Sequence, residues 1–242
     1  RDTFHIGVGR YWADYVGTGT ICQRWVRPNN AMMNNFIFPD ILLYLLDMVG
    51  VIACAIAGTL LAQHKGFDIA GCILVSMVNA IGGGTLRDMA LDRHPLFWMT
   101  DLNYVIVITV TSLILQIFFH LYHKIDNALK LFDAIGLAAF SVIGFKIALT
   151  QDMSPVIAIM MGVWTAIIGG MLRDIICNEI PLVLQREIYI SASIVGSVTY
   201  LLLDSLGMDA GLNEFVMLGV IFAVRMLALR FDWHLPSIRL VK

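Results

Sequence analysis

Seven long apolar runs, separated by short polar connections, decide what this chain can fold into. Each run approaches the length of about 20 residues that an α-helix needs to cross a bilayer. Hydrophobic residues make up 59% and charged residues 14% of the 242 residues, which excludes an ordinary water-soluble domain. The runs fall at 41–63, 69–91, 103–122, 131–150, 155–177, 187–204 and 211–229. We therefore predict an all-α integral membrane protein with seven transmembrane helices.

The first six runs are two copies of one three-helix unit. Displacing the sequence by 86 positions superposes Asp47 on Asp133 and the segment Gly83–Asp88 on Gly169–Asp174. Because three is an odd number, the second copy must enter the membrane from the opposite side, so the copies form an inverted repeat. We predict a polar N-terminal extension over 1–38, a first repeat over 39–126, a second repeat over 127–208, and a seventh helix with a C-terminal tail over 209–242.

The basic residues predict the orientation in the membrane. Short loops on one side hold Arg93 among many carboxylates, whereas the other side carries a basic set: Lys65, Lys124, Lys130, Arg186, Arg230, Arg239 and Lys242. The positive-inside rule then places the C-terminus in the cytoplasm and the N-terminus outside. Three arginines of the extension, Arg10, Arg24 and Arg27, count against this orientation.

Glycine clusters lie inside the second and fifth runs, as Gly82-Gly83-Gly84 and as Gly169-Gly170. Consecutive glycines lower the cost of leaving helical geometry, so we predict that both helices are broken there. A break frees backbone carbonyls, which need partners inside a bilayer. We expect these carbonyls to coordinate a monovalent cation at Asn79, Ala80 and Ile81 and at Thr165, Ala166 and Ile167. The alternative is that the glycines only allow close helix packing.

Two arginines, Arg87 and Arg173, follow the glycines within their runs. An unpaired arginine there costs at least about 2.5–3.5 kcal/mol, so each needs a partner or water. At about 1.5 Å per residue, Asp47 lies at the depth of Arg87, and Asp133 at the depth of Arg173. We predict two pseudo-symmetric ion pairs. The alternative is that these charges only clamp the helices together.

Three further charges lie near these pairs. Asp88 and Asp174 directly follow the arginines, and we expect them to face a cavity or to cap another helix rather than their own arginines, because helix neighbours point in different directions. Lys146, whose repeat partner is Leu60, is either a snorkelling lysine or a movable charge that admits or blocks cations.

Three aromatic residues lie near the predicted membrane surfaces, and motifs typical of enzymes are missing from the sequence. We assign Trp98, Trp233 and Tyr104 to an interfacial aromatic belt. The sequence has no phosphate loop, nucleophile triad or zinc pattern, so we do not expect an enzyme. We expect no cofactor and no nucleic-acid partner.

The paired Gly-Gly-X-Leu-Arg-Asp segments, followed by Pro95 and Pro181, resemble the bacterial branch of the trimeric intracellular cation channel family. The similarity covers about residues 40–235 and includes Arg225–Arg230. It implies a homotrimer in the bacterial plasma (inner) membrane, with a pore for potassium or sodium between the two repeats of each subunit. It also implies that the glycines, Arg87, Arg173 and Lys146 line or gate that pore.

The leading hypothesis from the sequence is passive conduction of monovalent cations. Pairing with Asp47 and Asp133 would neutralise the arginines, and a shift of the pair could open the path. Bacterial members of the family have also been described as glycine transporters, so the alternative is alternating-access transport of a small amino acid such as glycine. A third possibility is a non-conducting membrane scaffold.

Overall fold

The structure is a computed structural model that describes residues 30–118, 125–184, 188–231 and 233, with side chains from residue 43 onward and, in the fourth helix, from residue 127. All regular secondary structure in these residues is helical. A helical turn at Phe97–Thr100 and a 3₁₀ turn at Leu182–Leu184 lie between longer helices. The longer helices are α1 Asn30–His64, α2 Ile69–Ala90, α3 Asn103–Phe118, α4 Ile125–Thr150, α5 Pro155–Ile176, α6 Ile190–Ser205 and α7 Ala210–Phe231.

Five of these helices are long and apolar enough to cross a membrane, by length and composition. They are α1 over Leu43–His64, α4 over Asn127–Thr150, and the whole of α2, α5 and α7. The apolar helices α3 and α6 have 16 residues each, which is about 24 Å at the α-helical rise and short of a 30 Å hydrocarbon core. The chain is a multi-pass, all-helical membrane protein, and the seven-span count stays a prediction.

The first helix begins earlier than the sequence pattern predicted. α1 begins at Asn30, inside the predicted polar extension, whereas the first apolar run begins at 41. Ala31, Met32 and Met33 are good helix formers, so the helical backbone extends into this less apolar segment. The remainder of the predicted extension, residues 1–29, lies outside the described residues. The predicted division of the chain into two repeats and a seventh helix stays a prediction.

The two middle helices are continuous, so the predicted breaks are wrong. α2 has no interruption at Gly82–Gly84, and α5 has none at Gly169-Gly170. The carbonyls of residues 79–81 and 165–167 therefore lie inside helices, where helical hydrogen bonding uses them. The predicted cation site needed carbonyl groups that a helix break would free, so it has no basis in this structure.

The glycines instead let α2 and α5 cross at close range. A Cβ atom on Gly83 would overlap the carbonyl oxygen of Thr165, and one on Gly169 would overlap the carbonyl oxygen of Asn79. Asn79 and Thr165 are themselves separated by the 86-residue offset of the sequence repeat, so the contact is reciprocal. In the described structure the glycines therefore allow close helix packing, which is the alternative role that we gave them from the sequence.

The other helices surround this crossing. α5 packs against α2, α4 and α6, and α7 packs against α4 and α6. α4 lies deep in the bundle, where Leu137, Val142 and Phe145 are at most 2% exposed. Five charged side chains of α2, α4 and α5 are at most 8% exposed and therefore point into protein: Arg87, Asp88, Asp133, Arg173 and Asp174.

Candidate functional site

Arg173 is held by two carboxylates in the interior of the bundle. Its Nη1 donates to Asp133 Oδ1 at 2.9 Å, while its Nε and Nη2 lie 2.8 and 2.7 Å from Asp174 Oδ1. Arg173 is only 1% exposed, and both carboxylates are buried. Charge-assisted bonds of this length offset the cost of burying a guanidinium group. The predicted Asp133–Arg173 ion pair is confirmed.

Tyr189 and Arg225 extend this cluster to α7. The Tyr189 hydroxyl donates to Asp133 Oδ2, and the Arg225 guanidinium carbon lies 3.7 Å from the centre of the Tyr189 ring. Contacts of this kind are favourable when the cation is removed from water. Sequence reasoning missed both residues. The available signal was Arg225 itself, an arginine in the middle of an apolar run.

The equivalent cluster around Arg87 has a different arrangement. Arg87 Nε and Nη2 each lie 2.8 Å from Asp88 Oδ1, and the guanidinium group stands over the Phe97 ring. Asp47 instead accepts a 2.5 Å hydrogen bond from the Tyr104 hydroxyl. The direct Asp47–Arg87 ion pair that we predicted is therefore not formed. Tyr104 is 6% exposed, so its assignment to an interfacial belt is also wrong.

The carboxylates that follow the arginines contact them after all. The prediction that Asp88 and Asp174 cannot do so is wrong, because a long arginine side chain can fold back onto its neighbour. Their second oxygens accept from backbone further along the chain: Asp88 Oδ2 from Phe97 N at 3.3 Å, and Asp174 Oδ2 from Leu182 N at 3.0 Å. Each carboxylate thus also caps the turn that follows its helix, which was the expected alternative role.

The two clusters differ in the space beside their glycines. A Cβ atom on Gly84 would lie 2.7 Å from the Phe97 ring, so that ring fills the first site. The equivalent atom on Gly170 would meet nothing closer than Asp133 Oδ1, at 3.5 Å. A cavity of about 10 Å³ adjoins Gly170 and the second cluster, which is room for about one water molecule. A hydrated ion does not fit there without movement.

Two other predicted site residues lie outside these clusters. Lys146 Nζ is 2.6 Å from Glu214 Oε1, so it joins α4 to α7 and is not brought to either arginine. Gly82 lies beside Leu172, whose Cδ1 would be 3.3 Å from an added Cβ atom. Both residues keep their pore or gating roles as predictions.

Comparison with known proteins places this arrangement in a family. The family model described as glycine transporter matches residues 44–120 and 130–205. A UPF0126 membrane protein of Vibrio cholerae is 39% identical over 83% of this chain and 84% of its own length. The inner membrane protein YadS of Escherichia coli K12 is 37% identical over 82% of this chain and 97% of its own length.

Solved structures agree with these sequence relatives. The trimeric intracellular cation channel orthologue from Rhodobacter sphaeroides matches with a TM-score of 0.76 and 37% identity, covering 79% of this chain and 98% of that one. A prokaryotic channel of the same kind matches with a TM-score of 0.75 and 27% identity, covering 81% and 99%. These relatives are channels and membrane proteins, so the chain is not an enzyme. It belongs to the glycine transporter family, together with the bacterial trimeric intracellular cation channels.

Proposed function

We propose that the chain is a channel that conducts potassium and sodium ions through a pore in each subunit, formed between the two three-helix repeats. The observation that carries this proposal is the arginine–carboxylate cluster, present once on α2 and again on α5, where these helices cross. Ionisable residues that face the interior of a membrane bundle mark ion pathways. The Rhodobacter sphaeroides orthologue is described as a cation channel, which supports the same function here.

The proposed assembly is a homotrimer embedded in the lipid of the bacterial plasma membrane. Seven spans, arranged as two inverted repeats and a seventh helix, place the two termini on opposite sides of the membrane. The positive-inside rule then makes the N-terminus outside and the C-terminus cytoplasmic. YadS is an inner membrane protein and the Rhodobacter sphaeroides orthologue is a trimeric channel, and both relatives support this assembly. The reciprocal glycine contacts between α2 and α5 support the inverted repeat.

Conduction in this arrangement requires the charge clusters to move. The cavity of about 10 Å³ beside Arg173 holds about one water molecule, so a pore that passes this cluster must widen before a hydrated ion can cross it. Arginine bound to carboxylate blocks the path in the closed form, and displacement of the pair exposes the carboxylate to a cation. Small residues at the α2–α5 crossing allow these helices to slide with little side-chain interference.

Planar-bilayer recordings test this function. Purified protein is recorded in potassium and sodium gradients and compared with Arg87→Ala and Arg173→Ala. Exposed Arg230, at the end of α7, provides the matched control Arg230→Ala. We expect unitary cation currents from the parent and the control, and a higher open probability when either buried arginine is removed, because the closed form loses its clamp. Silent parent protein, or two variants that gate like the parent, would refute the proposal.

Transport of glycine is the second candidate, favoured by the description of the matching family model. A cluster with both a guanidinium group and carboxylates could hold the two ends of a zwitterion. Flux into liposomes that contain the purified protein, measured beside the bilayer recordings, distinguishes the candidates: saturable uptake of labelled glycine without unitary currents supports transport. A protein that moves neither glycine nor ions would be a scaffold.

A further inference from the structure

We propose that the side chains of Asn79 and Asp133 form a binding site for one monovalent cation beside Gly170, and that Arg173 competes for this site as a tethered cation. The inference rests on the proposed cation conduction and names the side chains that contact the ion. It replaces the backbone site that the continuous helices exclude.

Asn79 has a buried oxygen that lacks a protein partner. The side chain is 2% exposed, and its Nδ2 donates to the carbonyl oxygen of Cys54 at 2.6 Å, which fixes the orientation of the amide. Its Oδ1 has no hydrogen-bond partner among the described residues. A buried acceptor without a hydrogen-bond partner destabilises the folded protein, so this oxygen favours a donor or a cation.

The unpartnered oxygen lies near the open position beside Gly170, which two charged groups of the second cluster also approach. From the position of a Cβ atom on Gly170, Asp133 Oδ1 lies at 3.5 Å, Arg173 Nη2 at 3.7 Å and Asn79 Oδ1 at 4.0 Å. Glycine leaves this position open. The small cavity next to it is lined by Gly170, Asp133 and Arg173, whereas Asn79 lies outside its lining. Amide and carboxylate oxygens can replace the hydration shell of a potassium or sodium ion.

Arg173 can leave Asp133 without losing its counter-ion. Its Nε and Nη2 both bond Asp174, whereas only Nη1 bonds Asp133. Arg87 shows the released arrangement in the first cluster, because it keeps the bonds to its following aspartate and does not pair with Asp47. A permeating cation therefore needs to displace one hydrogen-bonded contact and leaves the guanidinium group neutralised.

The first cluster has no equivalent site. The Phe97 ring occupies the space beside Gly84, whereas the position equivalent to Phe97 in the second repeat is the smaller Val183, which lines the cavity. The position equivalent to Asn79 is Thr165, and its hydroxyl donates to the carbonyl oxygen of Met161 within α5. These differences restrict the proposed site to the second cluster.

Gly170→Ala tests the site directly. The added methyl group fills the space at ordinary contact distances, so the fold is kept while the cation is excluded. Gly219→Ala is the matched control, because no atom lies within 4 Å of its added Cβ. Asp133→Asn is a second variant, which keeps the shape of the side chain and removes its charge.

Rubidium is the probe, and two measurements are made on the purified full chain. Crystals grown in rubidium chloride are examined for anomalous density between Asn79 and Asp133. Thermal unfolding is followed in potassium chloride and in N-methylglucamine chloride at equal ionic strength. We expect rubidium density and a potassium-dependent rise in Tm for the parent and Gly219→Ala, because a ligand that binds the folded state stabilises it. Both signals are lost in Gly170→Ala and weakened in Asp133→Asn.

The outcomes separate this site from the channel function. Water density without an anomalous signal in the parent, or an unchanged potassium response in Gly170→Ala, overturns the site. A parent that conducts but binds no rubidium here keeps the channel proposal and refutes the site. A parent that binds rubidium here but carries no current supports the site and refutes conduction.

Discussion

Arg87 and Arg173 occupy equivalent positions in the two halves of the sequence, yet they have different numbers of carboxylate partners. Arg173 contacts two aspartates, and one of these, Asp133, also accepts a hydrogen bond from Tyr189. Arg87 contacts one, while Asp47 is held by the Tyr104 hydroxyl. Removing Asp133 or Asp47 should therefore lower the free energy of unfolding by different amounts. The reason is that a buried carboxylate stabilises the fold through the hydrogen bonds and ion pairs that it makes.

We expect Asp133→Ala to lower the free energy of unfolding by about 3 kcal/mol or more, since it removes bonds to both a buried arginine and a buried tyrosine. Asp47→Ala removes one such bond and should cost about 1.5 kcal/mol. Unfolding in mixed micelles, followed by circular dichroism, measures both values. Equal losses in the two variants would contradict the asymmetry of the clusters.

Of the two ion pairs that the sequence predicted, one is present. The 86-residue offset and the helical rise brought Asp133 to Arg173 correctly. They failed for Asp47, because the Tyr104 hydroxyl binds that carboxylate while the Arg87 guanidinium group stands over the Phe97 ring. Tyr189 could not be found from the offset, since Tyr104 is matched there by Ile190 and not by a tyrosine.

Among the helices, the crossing of α2 and α5 depends on two glycines that face backbone. Because the added atom would overlap a carbonyl oxygen of the partner helix, Gly83→Ala and Gly169→Ala should each force the helices apart. We expect the free energy of unfolding to fall by about 1–3 kcal/mol, which is typical of overpacking. We also expect lower conductance or altered gating. Gly219→Ala on α7, where space is open, controls for the change of residue type. Unfolding in micelles reports the loss, and wild-type stability in both crossing variants would show that the helices are not in close contact.

The limits of the two middle helices, α2 and α5, were easier to predict than their continuity. The second and fifth runs were placed at 69–91 and 155–177, and the helices end at Ala90 and Ile176. The predicted breaks were wrong because a glycine cluster can either break a helix or allow another helix to pack closely. A single sequence does not reveal which of the two roles applies. The decision depends on the carbonyl oxygen that the opposite helix brings to the glycine, which is a contact between residues far apart in the chain.

Across the whole molecule, the two ends of the helix bundle differ in their charged residues. Lys65 forms a 2.5 Å ion pair with Glu179, and Lys130 lines one cavity with His64 and another with Arg230, so these residues share one end. Lys124, Arg186, Arg239 and Lys242 of the predicted basic set lie outside the described residues. The other end includes the turn at Gln151–Met153 between α4 and α5, where Asp152 adopts a positive φ of 57°.

The orientation of these ends is testable because they differ in basic residues. The positive-inside rule predicts that the end with Lys65, Lys130 and Arg230 is cytoplasmic. A fluorescent protein fused to the C-terminus should therefore fluoresce, and alkaline phosphatase inserted at Asp152 should be active, since it folds only outside. The reverse pattern would place Arg173 and its cluster nearer the outer surface and Arg87 nearer the cytoplasm. A membrane voltage that pulls cations inward would then drive them past the Asp133 cluster before the Asp47 cluster, opposite to the order that our orientation requires.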